Sequence, residues 1–306
     1  MNHSNFDLPA VSFLTAASAC WGITTVISKY ILASIPPITL LTIQLSISAS
    51  LLWLFVLLKR QHLQKNNHWL KIGWLGLLNP GISYTLSLIG LTMTTASMST
   101  LLWAAEPVLI LFLAWWILRE RLTLRLILLS LAALSGVVLI GGANREVEGQ
   151  LFGNLLILAG VLCCAWYTVL ARRHGQGFDP LFAVTLQQTF ALGWALMLLP
   201  FELNNGTFLT LLQAEISIWF WAGLSGVMYY ALAFWFYLHG LVRVNASMAG
   251  VFINLIPIFG VGGAYLFLGE RSAPAQWVGA GAILAAVFAI LLWANDKQPS
   301  NRSDHS

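Results

Sequence analysis

Apolar residues in this chain come in long runs, broken at charged and Pro/Gly-rich points, with no alternating or amphipathic pattern over most of its length. A run of about twenty apolar residues crosses the hydrocarbon of a bilayer as one helix. Dividing the chain at its interruptions predicts ten such spans, at about 10–33, 37–58, 71–91, 96–118, 124–142, 153–172, 180–200, 217–239, 246–268 and 275–294. Several links are short enough that neighbouring spans must form antiparallel hairpins. No link is long enough to hold a soluble domain. The expectation is an all-α integral membrane protein with ten transmembrane helices.

The spans repeat. Residues 96–121, ASMSTLLWAAEPVLILFLAWWILRER, align without a gap on residues 246–271, ASMAGVFINLIPIFGVGGAYLFLGER. At the same offset Gly73 meets Gly223, Gly76 meets Gly226, and Gly90-Leu91 meets Gly240-Leu241. From Gly73 to Ile140, 17 of 68 positions are identical. Upstream the match persists at a shifted offset, with Ala-Cys-Trp at 19–21 against Cys-Ala-Trp at 164–166. The chain therefore divides into a first repeat, 8–143, a second, 152–295, and a tail, 296–306, expected to be disordered and cytoplasmic. Each repeat holds five spans. Because five is odd, the second repeat enters the membrane from the opposite side, and the two are predicted to be inverted. Inverted repeats are a recurrent construction of alternating-access transporters, with the site at the midplane between them. Duplication without transport is the bland alternative.

Composition agrees with the spans: 58% of the 306 residues are hydrophobic and 8% charged, where a soluble chain carries about a quarter charged. The net charge of +4 would hint at nucleic acid in a soluble domain, but here Lys and Arg are confined to short loops, so no nucleic-acid partner is expected. With the N-terminus inside, the inner side holds Lys59, Arg60, Lys65, Lys71, Arg119, Arg121, Arg125, Arg172, Arg173, Arg243, Lys297 and Arg302, and the outer side only Lys29, Arg145 and Arg271. That bias predicts an inner-membrane protein with both termini cytoplasmic. Ala17-Ser18-Ala19 resembles a signal cleavage site, but Trp21 recurs in the second repeat, so the first span belongs to the fold. Cys20, Cys163 and Cys164 lie in apolar runs without metal spacing and read as packing residues. No HExxH, histidine cluster or paired intramembrane carboxylate is present, which argues against an enzyme, a metal site or a cofactor.

These residues resemble the drug/metabolite transporter superfamily, specifically its EamA-type members. The resemblance rests on Trp21-Gly22 with Lys29, Glu106-Pro107, Arg119-Glu120-Arg121-Leu122-Thr123, Ile256-Pro257 and Leu268-Gly269-Glu270-Arg271, and it covers residues 8–295. The second repeat departs from the pattern with Trp166-Tyr167 where Trp-Gly stands in the first. The resemblance implies a transporter of small metabolites, often amino acids and related compounds, with membrane lipids as its surroundings. Export is the favoured direction.

Glu106 is the place where the repeat is broken by a charge, since Ile256 stands at its mate. A carboxyl near the bilayer centre costs on the order of 3 kcal/mol, so it should face a cavity or a partner. Proton coupling or recognition of a substrate amine is the functional reading; a hydrogen bond to backbone freed by Pro107 is the structural one. Trp21, Trp103, Trp166 and Trp235 fall near mid-span, away from the interfaces tryptophan prefers. Together they suggest an aromatic-lined cavity suited to aromatic, cationic or amphipathic solutes. Gln44, Gln187, Asn79, Tyr84, Tyr229, Tyr230 and Asn254 complete the candidate substrate contacts, interhelical hydrogen bonding being the alternative for each. Asn79-Pro80-Gly81 predicts a broken third span, a break that the mate Tyr229-Tyr230-Ala231 lacks. Lys29 is expected to snorkel outward, with a gate as the alternative. Glu120 and Glu270 are expected in solvated ion pairs with their neighbouring arginines. A channel is disfavoured because no filter or charge ring is present.

Overall fold

A computed structural model describes residues 8–59, 69–118, 150–174, 179–203, 211, 213–241, 252–253, 255–271, 274, 277–278, 281 and 285. The predicted fifth span, nearly all of the tenth, Glu120 and Asn254 lie outside the described residues. Within them the chain is helical, with no strand. Six helices are long and apolar enough to cross a membrane: Pro9–Ile31, Pro37–Leu58, Trp69–Met93, Gln150–Ala171, Leu181–Glu202 and Ile216–Tyr237.

The breaks between elements have local causes. Helices α1 (Leu8–Ile31) and α2 (Pro37–Leu58) are parted by a short turn ending in Pro36-Pro37, and Pro37 takes a first-turn position where its missing N–H costs nothing. The third span is composite: α3 (Trp69–Gly76), a π-helical turn at Leu77–Ile82, and α4 (Ser83–Met93). Asn79 is driven out of the helical region, to φ −146° and ψ 121°, as expected for a residue preceding proline. The fourth span is also composite. Helix α5 (Ala96–Trp103) stops at Ala104–Ala105, whose N–H groups make tight bonds to Leu101 O and Leu102 O, both 3.1 Å, and α6 (Glu106–Leu118) follows. Pro107 is the cause, since it has no N–H to bond the carbonyl four residues earlier.

The second half continues as α7 (Gln150–His174) and α8 (Pro180–Glu202), then α9 (Ile216–Gly226), a π-helical turn at Val227–Leu232, and α10 (Ala233–Leu241). Asp179 caps α8, accepting from the N–H groups of Leu181 and Phe182 at 2.9 and 3.1 Å. Helix α11 (Ile256–Phe267) follows a break at Leu255 with Pro257 in its first turn, as α6 follows Ala105. The two π-helical turns sit 150 residues apart, at the repeat offset. The mate of Asn79-Pro80-Gly81 lacks the break, as expected, but it too is a π turn.

Two mated pairs of spans, the second with the seventh and the fourth with the ninth, pack antiparallel. Along α2 and α8, Ile38 meets Glu202, Ser48 Oγ donates to Gln188 Oε1 at 2.6 Å, and Trp53 stacks edge-on to Phe182. Residue numbers rise on one helix as they fall on the other. Helices α5 and α11 show the same order, with Ala96 at Glu270 and Thr100 against Gly260. Cross-contacts are exchanged in the same way: α3 and its π turn pack on α8, and α9 with its π turn packs on α2. Glycine makes both crossings possible. A Cβ on Gly226 would lie 2.8 Å from Gln44 Cα, and one on its mate Gly76 would run into the Gln187 backbone.

Candidate functional site

A cavity lies where these crossings meet. Helix α1 contributes Thr25 and Ser28, α2 Gln44, α4 Tyr84 and Ser87, α5 Ser99 and Trp103, and the second π turn Tyr229 and Tyr230. Both halves of the chain therefore build its wall. It encloses ≈ 20 Å³, room for one or two waters, where a metabolite site spans about 300 Å³ or more. In this conformation the cavity is too small for such a solute.

Its polar edge is held in place. Gln44 Nε2 donates to Ser28 Oγ at 3.2 Å and to Ser225 Oγ at 2.8 Å, so the amide is oriented by one helix from each half. Ser87 Oγ is buried with no hydrogen-bond partner, an unfilled contact in the cavity wall. The aromatic edge centres on Tyr84. Its ring stacks on Trp103 at 5.5 Å and 21°, and meets Tyr229 and Tyr230 edge-on at 5.2 and 5.4 Å. Trp21 does not line the cavity but supports it: its Nε1 donates to Tyr229 O at 3.1 Å. Gln188 Nε2 does the same for Tyr230 O at 3.2 Å. These two donors meet carbonyls of the π turn, whose backbone bonding is offset from the ordinary helical ladder.

Glu106 belongs to an adjoining cluster. It opens α6 beside the break, where a negative group suits the helix N-terminus. Cys164 Sγ lies 3.3 Å from its Oε1 as donor. Tyr167, Tyr229 and Tyr237 are near enough for its charge to act on them. Tyr167 OH in turn donates to Gln187 Oε1 at 2.8 Å. Tyr229 is common to both groups and links the carboxylate cluster to the cavity.

The remaining candidates fall elsewhere. Trp166 faces α6, edge-on to Trp116 at 6.2 Å. Trp235 is 37% exposed, against His239 at 4.3 Å, on the outside of the bundle. Asn79 is buried outside the cavity wall, and its Oδ1 has no partner. Lys29 donates to Leu91 O at 2.7 Å and lies 3.5 Å from Thr92 O, at the end of α4. Glu270 is not in a solvated pair, since its carboxylate accepts from Ala96 and Ser97, while Arg271 lies over the Tyr265 ring. Thr25, Ser28, Ser87 and Ser99 were not singled out in the sequence. Small hydroxyl residues are common in membrane helices, and only packing distinguishes those that face a cavity.

The fold and cavity define a multi-pass helical membrane protein with helices from both halves of the chain around a shared central space. The chain belongs to the EamA-like transporter family, whose model matches residues 8–142 and 151–292. Among relatives, the "Uncharacterized transporter YetK" of Bacillus subtilis (strain 168) is 28% identical over 69% of this chain and 64% of its own length. The "Uncharacterized transporter YyaM" of the same organism is 25% identical over 84% of both chains, and an "Uncharacterized transporter" of Archaeoglobus fulgidus is 21% identical over 89% of this chain and 94% of its own. A solved structure shares the fold with a TM-score of 0.64 at 18% identity, covering 95% of this chain and 99% of that chain.

Proposed function

We propose that this protein is a secondary transporter that moves a small organic solute across the inner membrane by alternating access. Its ten helices would form two inverted five-helix repeats, with both termini in the cytoplasm and export as the favoured direction. The observation that carries the reading is the small cavity shared between the halves, with a stacked aromatic face on one side and a fixed amide and hydroxyls on the other. Such a wall suits an amino acid or related compound with an aromatic or amphipathic part. Glu106 supplies the nearby carboxylate for a substrate ammonium or a coupling proton.

The test is flux. Purified protein in liposomes, screened with labelled amino acids and cationic drugs with and without a pH gradient, is expected to move at least one of them faster than protein-free liposomes. Absence of flux for every solute overturns the reading.

A further inference from the structure

At the face that carries Lys29, two helix starts are closed by carboxylates brought from other helices. Helix α5 begins with Ala96 and Ser97. Glu270 Oε1 accepts from Ala96 N–H at 2.9 Å, and its Oε2 accepts from Ser97 N–H at 3.0 Å and Ser97 Oγ at 2.8 Å. Helix α2 is closed in the same way. Glu202 Oε1 accepts from Ile38 N–H at 2.9 Å, and its Oε2 from Thr39 N–H at 2.6 Å and Thr39 Oγ1 at 2.8 Å. The N–H groups of a helix's first turn have no partner within the helix, and here glutamates from the other half supply it.

Lys29 joins the first of these to the cavity. Its ammonium donates to Leu91 O near the end of α4, and the charge of Glu270 acts on it. The result alternates in sign: the negative C-terminal end of α4, Lys29, Glu270, then the positive N-terminal end of α5. Leu91 and Ser28, the residue before Lys29, both line the cavity. Glu270 reaches its position because Gly269 adopts φ 65° and lets the Glu270 N–H turn back to Ala264 O at 3.2 Å.

We infer that Lys29, Glu202 and Glu270 form an electrostatic seal over the cavity, and that the transport cycle opens this face by releasing it. Both glutamates stand on the second half, at the ends of α8 and α11, and both helix starts belong to the first. A rigid-body rocking of one half against the other breaks these bonds together, leaving groups at helix ends that water can satisfy. The inference rests on the transporter reading, but its test needs no flux.

A single cysteine placed at Ser99 in the cavity wall, with Cys20, Cys163 and Cys164 changed to alanine, reports opening by its reaction with a membrane-impermeant maleimide in vesicles of known sidedness. Glu270→Gln and Lys29→Met are each expected to speed labelling from the Lys29 face about tenfold or more, the shift that loss of a charge-assisted hydrogen bond supports, and to slow it from the opposite face. Glu202→Gln is expected to act in the same direction. If Glu270→Gln does not fold, Lys29→Met and Ser97→Ala decide. Folded variants that label at the parent rate overturn the seal and leave the transport reading standing, whereas faster labelling without flux for any solute does the reverse.

Discussion

Glu106 places a carboxyl at the start of α6, and its environment is made by other helices: Cys164 and Tyr167 on α7, Tyr229 in the second π turn, Tyr237 on α10. A carboxyl in such surroundings can serve a proton or an ammonium because few fixed charges compete with it. Glu106→Gln keeps an acceptor for Cys164 while removing the charge. The expected outcome is flux that no longer differs with and without an imposed pH gradient, read in the liposome assay. Unchanged rate and unchanged pH dependence would leave Glu106 with a structural role only. The asymmetry at this position was legible from the repeat, because a carboxyl opposite Ile256 stands out. Its partners were not: they lie 58 or more residues away, and proximity between helices has no signature in a single apolar sequence.

At the scale of elements, the unit that matters is the interrupted helix. The breaks at Ala104–Ala105 and Leu255 are set by Pro107 and Pro257, and the break at Asn79 by Pro80. The π turn at Val227–Leu232 has no proline, so nothing local announces it; tertiary partners, Trp21 and Gln188, bond its carbonyls. Close crossing is the other requirement. Gly226→Ala places a Cβ 2.8 Å from both Gln44 Cα and Gln44 O, and is expected to cost about 1–3 kcal/mol. Gly193→Ala, in α8 with nothing within 4 Å of the new carbon, is expected to be neutral or to stabilise by up to about 1 kcal/mol. Thermal unfolding of the two variants in detergent checks the contrast. A Tm for Gly226→Ala no lower than that for Gly193→Ala would mean that the crossing with α2 does not require glycine.

For the whole molecule, the two halves are joined by antiparallel mates: α2 on α8 near the cavity, and α5 on α11 beside the seal. That arrangement requires mated spans to enter the membrane from opposite sides, which an odd number of spans per half achieves. A reporter active only outside the cytoplasm, fused to either terminus, is expected to give no signal, whereas activity at one end alone would mean an odd number of crossings.

The sequence by itself determined that the chain crosses the membrane, where most spans begin and end, that two copies of one unit are present, and that a proline breaks the third span. These follow from length, apolarity, offset and missing N–H groups, all local or periodic properties. Only the tertiary structure decided which mid-span residues share a cavity. Trp103 and Trp235 are alike in sequence context, yet one stacks on Tyr84 and the other faces outward. It also decided that Glu270 closes α5. The reason is physical: in a helix that is apolar on every side, periodicity does not mark the buried face, so the facing residues are set by which helix lies alongside.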